Sequence, residues 1–316
     1  MLALRFFLVA IPVVLALPSR TNFLDEEIVP GRYIVTLRDD ADSATVDSYV
    51  AGINKVWRDN FRGYSGEFNS DTINKILLSE DVIAMEPVTL MAAGQSCSSF
   101  QQDDPPIHEY TYHESAGGGM WAYVIDSGIY IKHNDFEGRA HLGYKALADL
   151  GTYGVAKKAN LMAVKIFEGG SPSSTELVID GLEWAVQNIT RENRQAVRNA
   201  YLNGILSVNN ERALFSNWGS KVDLFAAGTN VLSAYIGSPD ATYSQSGTSM
   251  AAPHVAGLVL YLKAAESGLE GAAAVATRIV ELTTKDILKN VPQETFNRLA
   301  FNGVEPQSGT GSSEHV

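Results

Sequence analysis

The sequence feature that most constrains the fold is the run Ser246–Gly257, which leads from a polar loop into an apolar helix. Proline is tolerated in a helix only near its start, so Pro253 predicts a helix that begins just before it. The following residues leave no polar face, which predicts that protein surrounds this helix. Ser249 would lie in the first turn, where free N–H groups and the helix dipole can stabilise an alkoxide or oxyanion. The alternative is a simple N-cap on a core helix.

Composition excludes several classes of protein. The chain has 316 residues, 45% of them hydrophobic, which is enough for one large core or two smaller ones. Its net charge is −12 and it contains no basic block, so we expect an acidic soluble surface and no nucleic-acid partner. Cys97 is the only cysteine, so no intrachain disulfide is possible and we interpret it as an inert thiol.

The amino terminus carries the only strongly apolar run, from Phe6 to Leu17 behind Arg5. The run is too short to span a bilayer comfortably, so residues 1–17 are predicted to be a cleaved secretory signal and the protein to be secreted. No later segment is predicted to cross a membrane. In a secreted chain the sequon Asn188-Ile189-Thr190 is expected to be accessible for glycosylation.

Residues 18–96 are predicted to form a small ferredoxin-like α+β domain with the order β-α-β-β-α-β. The predicted elements are a strand over 32–37, a helix capped by Ser43 that carries Ile53, a hairpin around Arg62-Gly63, a helix capped by Asp71, and a strand over 82–88. Alone, such a domain would be a generic binding module.

Residues 97–304 are predicted to form an α/β domain, and residues 305–316 a disordered polar tail. Trp121 to Ile125 is nearly continuous apolar sequence, the pattern of a strand buried on both faces of a parallel sheet. Asp126 ends that strand, and carboxyl ends of parallel strands line active crevices. An Asp-Ser-Gly turn is also explained by turn chemistry alone. Leu177 to Ile189 is predicted to be a helix with Val178, Leu182, Ala185 and Val186 facing inward.

The octet Gly247–His254, the strand ending in Asp126-Ser127-Gly128, and the segment Phe215–Gly219 together resemble the subtilisin-like serine proteases, in particular the fungal enzymes of the proteinase K subfamily. The resemblance implies a parallel sheet with helices on both faces, behind an I9-type inhibitory propeptide that self-cleavage removes. It implies a monomeric endopeptidase acting on protein or peptide substrates, with Ser249 as nucleophile and Asp126 orienting a histidine. It implies no catalytic cofactor, and allows a structural calcium ion for which Asp286 is a candidate ligand.

Three parts of the family pattern are absent from this sequence. The H-G-T-H motif that holds the catalytic histidine belongs just before Tyr153, a cleft-lining strand belongs between Gln195 and Ala196, and the oxyanion asparagine belongs after Val208. His133 and His141 follow Asp126 too closely and are interpreted as surface or loop residues, and His254 as a structural residue of the octet. In subtilisin the histidine contributes about 10⁶ to kcat and the asparagine about 10² to 10³, so the histidine decides activity.

Two interpretations of these gaps remain open. The first is an incomplete version of an active secreted protease, because the residues beside every gap still match the family. The second is a genuine non-catalytic relative that binds peptides or acts through its propeptide-like domain. A lipase-type hydrolase is excluded because no G-x-S-x-G elbow is present.

Overall fold

The computed structural model describes residues 27–41, 52–91, 109–145, 156–167, 171–194, 196–198, 205–206, 210–304 and 313–315. In chain order the elements are β1 (Glu27–Leu37), β2 (Ile53–Trp57), β3 (Gly63–Glu67), α1 (Ser70–Leu77), β4 (Val82–Met91), β5 (Glu109–Thr111), β6 (Trp121–Asp126), a 3-10 helix (Asn134–Phe136), β7 (Ala140–Leu142), β8 (Asn160–Lys165), β9 (Ser173–Ser174), α2 (Thr175–Arg191), β10 (Ala196–Arg198), β11 (Ile205–Leu206), β12 (Ala226–Ala227), β13 (Val231–Ala234), β14 (Thr242–Gln245), α3 (Thr248–Ala265), α4 (Ala272–Leu282), β15 (Thr284–Lys285), β16 (Arg298–Leu299) and β17 (Ser313–His315).

The chain divides into two compact units that do not follow the sequence order. Unit 1 contains Met1–Ala93 together with Ile166–Asn188, and unit 2 contains Gly94–Lys165 together with Ile189–Val316. The first fourteen residues of α2 therefore pack with the amino-terminal domain.

Unit 1 is built on an antiparallel sheet with the strand order β2-β3-β1-β4, extended by the short β9. This order is the one expected of a ferredoxin-like domain. Its core contains Val35, Tyr64, Phe68 and Ile76. The predicted helix after Ser43 lies outside the described residues, and the prediction that it continues to Ile53 is wrong because Ile53 begins β2. Asn69, and not Asp71, caps α1 by accepting a hydrogen bond from the Thr72 amide.

Unit 2 is built on a parallel sheet with the order β10-β6-β8-β7. β6 is an interior strand, as its apolar sequence predicts, and it pairs with β8 along all six residues from Trp121 to Asp126. β10 pairs only with the first three residues of β6. Within the described part of the chain, Val124 to Asp126 therefore have no strand partner on the β10 side.

α3 carries the predicted apolar helix and packs against β6, β10, β11 and β12. Eight of its residues are buried, at positions spread around the helix: Ala251, Ala252, Val255, Gly257, Leu258, Leu260, Tyr261 and Leu262. The prediction of a helix surrounded by protein is confirmed. A helix with this much buried surface gives its first turn a fixed position.

Some sequence predictions are corrected or lie outside the described residues. The prediction of a disordered tail is wrong for Ser313–His315, because these residues pair with β5 as an antiparallel strand. The sequence on either side of the expected histidine motif, residues 146–155, is not among the described residues, nor are Gln195 and 207–209 beside the other two gaps. None of the helices that the structure describes is long and apolar enough to cross a membrane. The predicted secretory signal also lies outside the described residues.

Candidate active site

Ser249 is the second residue of α3 and its side chain is exposed. Met250 and Ala251 donate their amides to the Gly247 carbonyl, at 3.0 and 3.3 Å. The Ser249 amide has no acceptor among the described residues, which leaves a free donor at the positive end of the helix. Pro253 stands four residues later and has no N–H to offer the Ser249 carbonyl. The serine therefore lies where an oxyanion can be stabilised.

The loop before α3 is fixed by hydrogen bonds to a neighbouring turn. The Gly247 amide donates to the Gly228 carbonyl at 2.8 Å, and the Asn230 amide donates to the Ser246 hydroxyl, also at 2.8 Å. β13 and β14, which pair antiparallel, connect these two segments. Ser249 is thus held by a rigid hairpin on one side and a buried helix on the other.

Asp126 is the last residue of β6 and lies at the carboxyl end of the parallel sheet, as predicted. Its side chain is half-buried, and its Oδ1 accepts a hydrogen bond from the Ser127 amide at 2.6 Å. No hydrogen bond or ion pair joins it to Ser249 within the described part of the chain. The two predicted catalytic residues are each positioned by their own element, and the group that would connect them is a histidine.

None of the histidines whose side chains the structure describes bonds to Ser249 or Asp126. His113 contacts the Ser115 hydroxyl at 3.1 Å, and His141 packs against Trp121 with ring centroids 5.0 Å apart. His133 lies in a loop, which is one of the two predicted alternatives, and at 3% exposure it is not a surface residue. Its Nδ1 accepts from the Asp135 amide and its Nε2 donates to the Ala241 carbonyl, which ties two loops together.

His254 is a structural residue of α3, as its spacing from Ser249 predicts. Its Nδ1 donates to the Met250 carbonyl at 2.8 Å, one helical turn back. Burial lowers the pKa of His254, although the hydrogen bond to Met250 opposes the shift. The imidazole is therefore neutral at physiological pH, and its Nδ1 is bonded to the backbone and not to the serine.

Two further predicted site residues are placed by the structure. Asn188 is 7% exposed within α2, so the expectation that the sequon is accessible is wrong for the folded chain, and glycosylation itself stays a prediction. Asp286 is exposed in a turn, and no group of three or more His, Cys, Asp or Glu side chains surrounds it among the described residues. Calcium in proteins takes six to eight oxygen ligands, so this residue alone does not fit a calcium site.

α2 carries an acidic face that was not predicted from the sequence. Glu176 and Glu183 are buried at 2% and 8% exposure, whereas Val178 and Leu182, which were predicted to face inward, are only half-buried. Ala185 is buried as predicted. The signal was present in the sequence, because Glu176, Asp180 and Glu183 recur at the spacing of one helix face. The face was not predicted to be buried because acidic side chains are usually exposed to solvent.

Comparison with known proteins identifies both units. The profile of the subtilase family matches residues 196–311, which include Ser249, and that of peptidase inhibitor I9 matches residues 32–92. The chain is 36% identical to alkaline protease 1 of Aspergillus flavus over 390 positions, covering 93% of this chain and 96% of the relative. It is 35% identical to the alkaline proteinase of Hapsidospora chrysogena over 401 positions, covering 95% and 98%.

Two solved structures share the fold. A cold-adapted subtilisin-like serine proteinase superposes with a TM-score of 0.54 at 24% identity, covering 66% of this chain and 97% of that one. Fervidolysin from Fervidobacterium pennivorans superposes with a TM-score of 0.61 at 16% identity, covering 88% and 61%.

The alignments also measure a difference in length. Since 93% of this chain's 316 residues is about 294, roughly 96 of the 390 positions aligned with alkaline protease 1 are occupied in the relative alone. Family membership is nevertheless plain from the identity and from the share of each chain that aligns. The chain belongs to the subtilase family of serine proteases and carries a peptidase inhibitor I9 domain ahead of its subtilase part.

Proposed function

We propose that this chain represents a secreted serine endopeptidase of the subtilisin type whose active form contains residues absent from this sequence. The observation that carries the proposal is the combination of an exposed serine in the first turn of α3 with a shortened domain. Ser249 is exposed at the start of a fixed helix and Asp126 ends the central strand. About 96 positions of the aligned relative have no counterpart here.

In the proposed reaction Ser249 is the nucleophile. Its Oγ forms a bond to the scissile carbonyl carbon, and its proton passes to a histidine that is present in the longer, active form of the protein. The free Ser249 amide and the helix dipole stabilise the oxyanion. The histidine then protonates the leaving amine as the C–N bond breaks, and water hydrolyses the acyl-enzyme. Asp126 orients the histidine and stabilises its charged form.

A second candidate function is a non-catalytic subtilase that binds peptides or acts through its I9 domain. The observation that favours it is that no histidine side chain described in the structure forms a hydrogen bond with Ser249. Without a base the serine hydroxyl is hardly ionised at neutral pH, so peptide hydrolysis by this exact chain should nearly vanish.

Labelling with a fluorophosphonate probe separates the two functions. We expect medium from producing cells to contain a labelled protein whose modified peptide includes Ser249, and whose mature domain is longer than that of this chain. Recombinant protein of the present sequence should not be labelled, like its Ser249→Ala variant. If the cells secrete only the present sequence and it stays unlabelled while folded, the non-catalytic function is correct.

Secretion, a monomeric state and a structural calcium ion complete the proposal. The apolar run from Phe6 to Leu17 supports secretion. The calcium ion is implied by the family resemblance alone, and we derive no step from it. A melting temperature that rises when calcium replaces EDTA would support it.

A further inference from the structure

The acidic face of α2, formed by Glu176, Asp180 and Glu183, is turned toward the β-sheet of the I9 domain within unit 1. The three residues are spaced i, i+4 and i+7, so they lie along one side of the helix. Each of them accepts hydrogen bonds from residues of β1, β2, β3 or the loop between β2 and β3. Because buried carboxylates are unfavourable without partners, the chemistry of those donors decides what can dock here.

Glu176 is bound by an arginine fork. Arg32 on β1 donates from Nε to Oε1 at 3.2 Å and from Nη2 to Oε2 at 2.9 Å. The Ser65 hydroxyl on β3 donates to Oε1 as well. The Glu176 side chain is 3% exposed, so the pair is shielded from water on the carboxylate side. Two parallel bonds from a planar guanidinium cannot be reproduced by lysine.

Asp180 is bound by two side chains of β2. Lys55 forms an ion pair with Oδ2, and the Trp57 indole Nε1 donates to Oδ1 at 2.9 Å. Lys55 and Trp57 are two residues apart and therefore project from the same face of the strand. The Asp180 side chain is 21% exposed and that of Lys55 is 35% exposed, so solvent screens this pair only in part.

Glu183 is bound mainly by backbone groups. The amide of Phe61 donates to Oε1, and Asn60 donates to Oε2 from its amide at 3.4 Å and from Nδ2 at 3.2 Å. A backbone N–H is available from nearly any residue. Glu183 therefore strengthens docking of almost any sequence, whereas Glu176 and Asp180 depend on which side chains the docked sheet carries.

We infer that the acidic face of α2 selects its I9 domain by charge. It accepts an I9-type sheet that carries an arginine at position 32 and a cation at position 55, and it rejects one with an acidic residue at position 55. Asp180 and Glu176 are the specificity-determining residues of the surface. The inference rests on the proposed function only in treating the I9 domain as this protease's own propeptide.

A charge-reversal experiment on the full chain tests the selection. Lys55→Glu places a carboxylate against Asp180, whereas Asp180→Asn combined with Lys55→Glu offers that carboxylate an amide donor. In the double variant the oxygen of the introduced side-chain amide can still accept from Trp57. Lys75→Glu is the matched control, because Lys75 is exposed on α1 and the change in net charge is identical.

Hydrogen exchange measured by mass spectrometry reads the opening of each segment separately. We expect Lys55→Glu to raise the opening constant of β1 and β3 about 30-fold, which corresponds to about 2 kcal/mol for a partly buried pair. The Lys75→Glu control should stay within about twofold of the parent. In the double variant the opening constant of β1 and β3 should return to within about fivefold of the parent value. The exchange protection of α3 serves as an internal standard.

The inference is overturned if Lys55→Glu behaves like the Lys75→Glu control, or if adding Asp180→Asn gives no recovery. Should Lys55→Glu also remove the protection of α3, recovery in the double variant still decides the matter. Exchange does not depend on the reactivity of Ser249. Failure here therefore leaves the proposed peptidase activity standing, and failed labelling leaves the charge selection standing.

Discussion

Replacing Leu260 with alanine tests whether unit 2 has a packed core despite its shortened sequence. Leu260 lies on α3 at 2% exposure, in a cluster with Met120, Ala156 and Ala159. Losing its Cγ methine and two methyl groups removes about 2 kcal/mol of burial free energy. Two of the neighbouring side chains are alanines that cannot extend into the space, so a cavity term of about 1–2 kcal/mol is added. We expect the free energy of unfolding to fall by about 3–4 kcal/mol.

Urea unfolding followed by circular dichroism and tryptophan fluorescence measures this loss. Leu214→Ala is the control, because Leu214 is 91% exposed and the same atoms are removed. The control should change stability by less than about 0.5 kcal/mol. If Leu260→Ala costs no more than the control, α3 is not held by a native core and the positioning argument for Ser249 fails.

Two buried polar groups on α3 give further predictions. Tyr261→Phe removes the acceptor of the His113 amide, a 2.9 Å bond, and should cost about 1–2 kcal/mol in urea unfolding. Burial raises the pKa of Tyr261, so its neutral form stabilises the fold below about pH 10, and this contribution is lost as pH rises through the folded-state pKa; the phenylalanine variant should lack that alkaline loss. For His254 burial lowers the pKa, so its stabilisation is complete above about pH 6.5 and declines as pH falls toward the folded-state value. His254→Asn, which can still donate to the Met250 carbonyl but does not titrate, should show a smaller loss of stability between pH 7 and pH 5.

The elements that the sequence predicted well are those with one dominant pattern. The all-apolar stretch after Ser249 became a buried helix, and the apolar run before Asp126 became the interior strand β6. In both cases a nearly continuous apolar run leaves little freedom in the pattern. The prediction failed for the tail, because the pairing of β17 with β5 joins residues about 200 positions apart and has no local signal.

The site was predicted only in its separate parts. The positions of Ser249 and Asp126 follow from a helix start and a strand end, which local sequence specifies. The burial of the acidic face of α2 was not predicted, because it requires ion pairs with Arg32 and Lys55, which lie more than 120 residues earlier. The burial of His133 was not predicted for a similar reason, since its partner, the Ala241 carbonyl, lies 108 residues later.

The proposed protease activity requires a histidine segment that is absent from this sequence. Sequencing of full-length transcripts across codons 140–160 and 190–215 would show whether that segment is encoded. We expect messages with an insert before Tyr153 that encodes the H-G-T-H motif, and with inserts that supply the two downstream segments. If every message matches the present sequence, the protease proposal is wrong for this product, and its function must lie in what the I9 domain and the truncated subtilase domain bind.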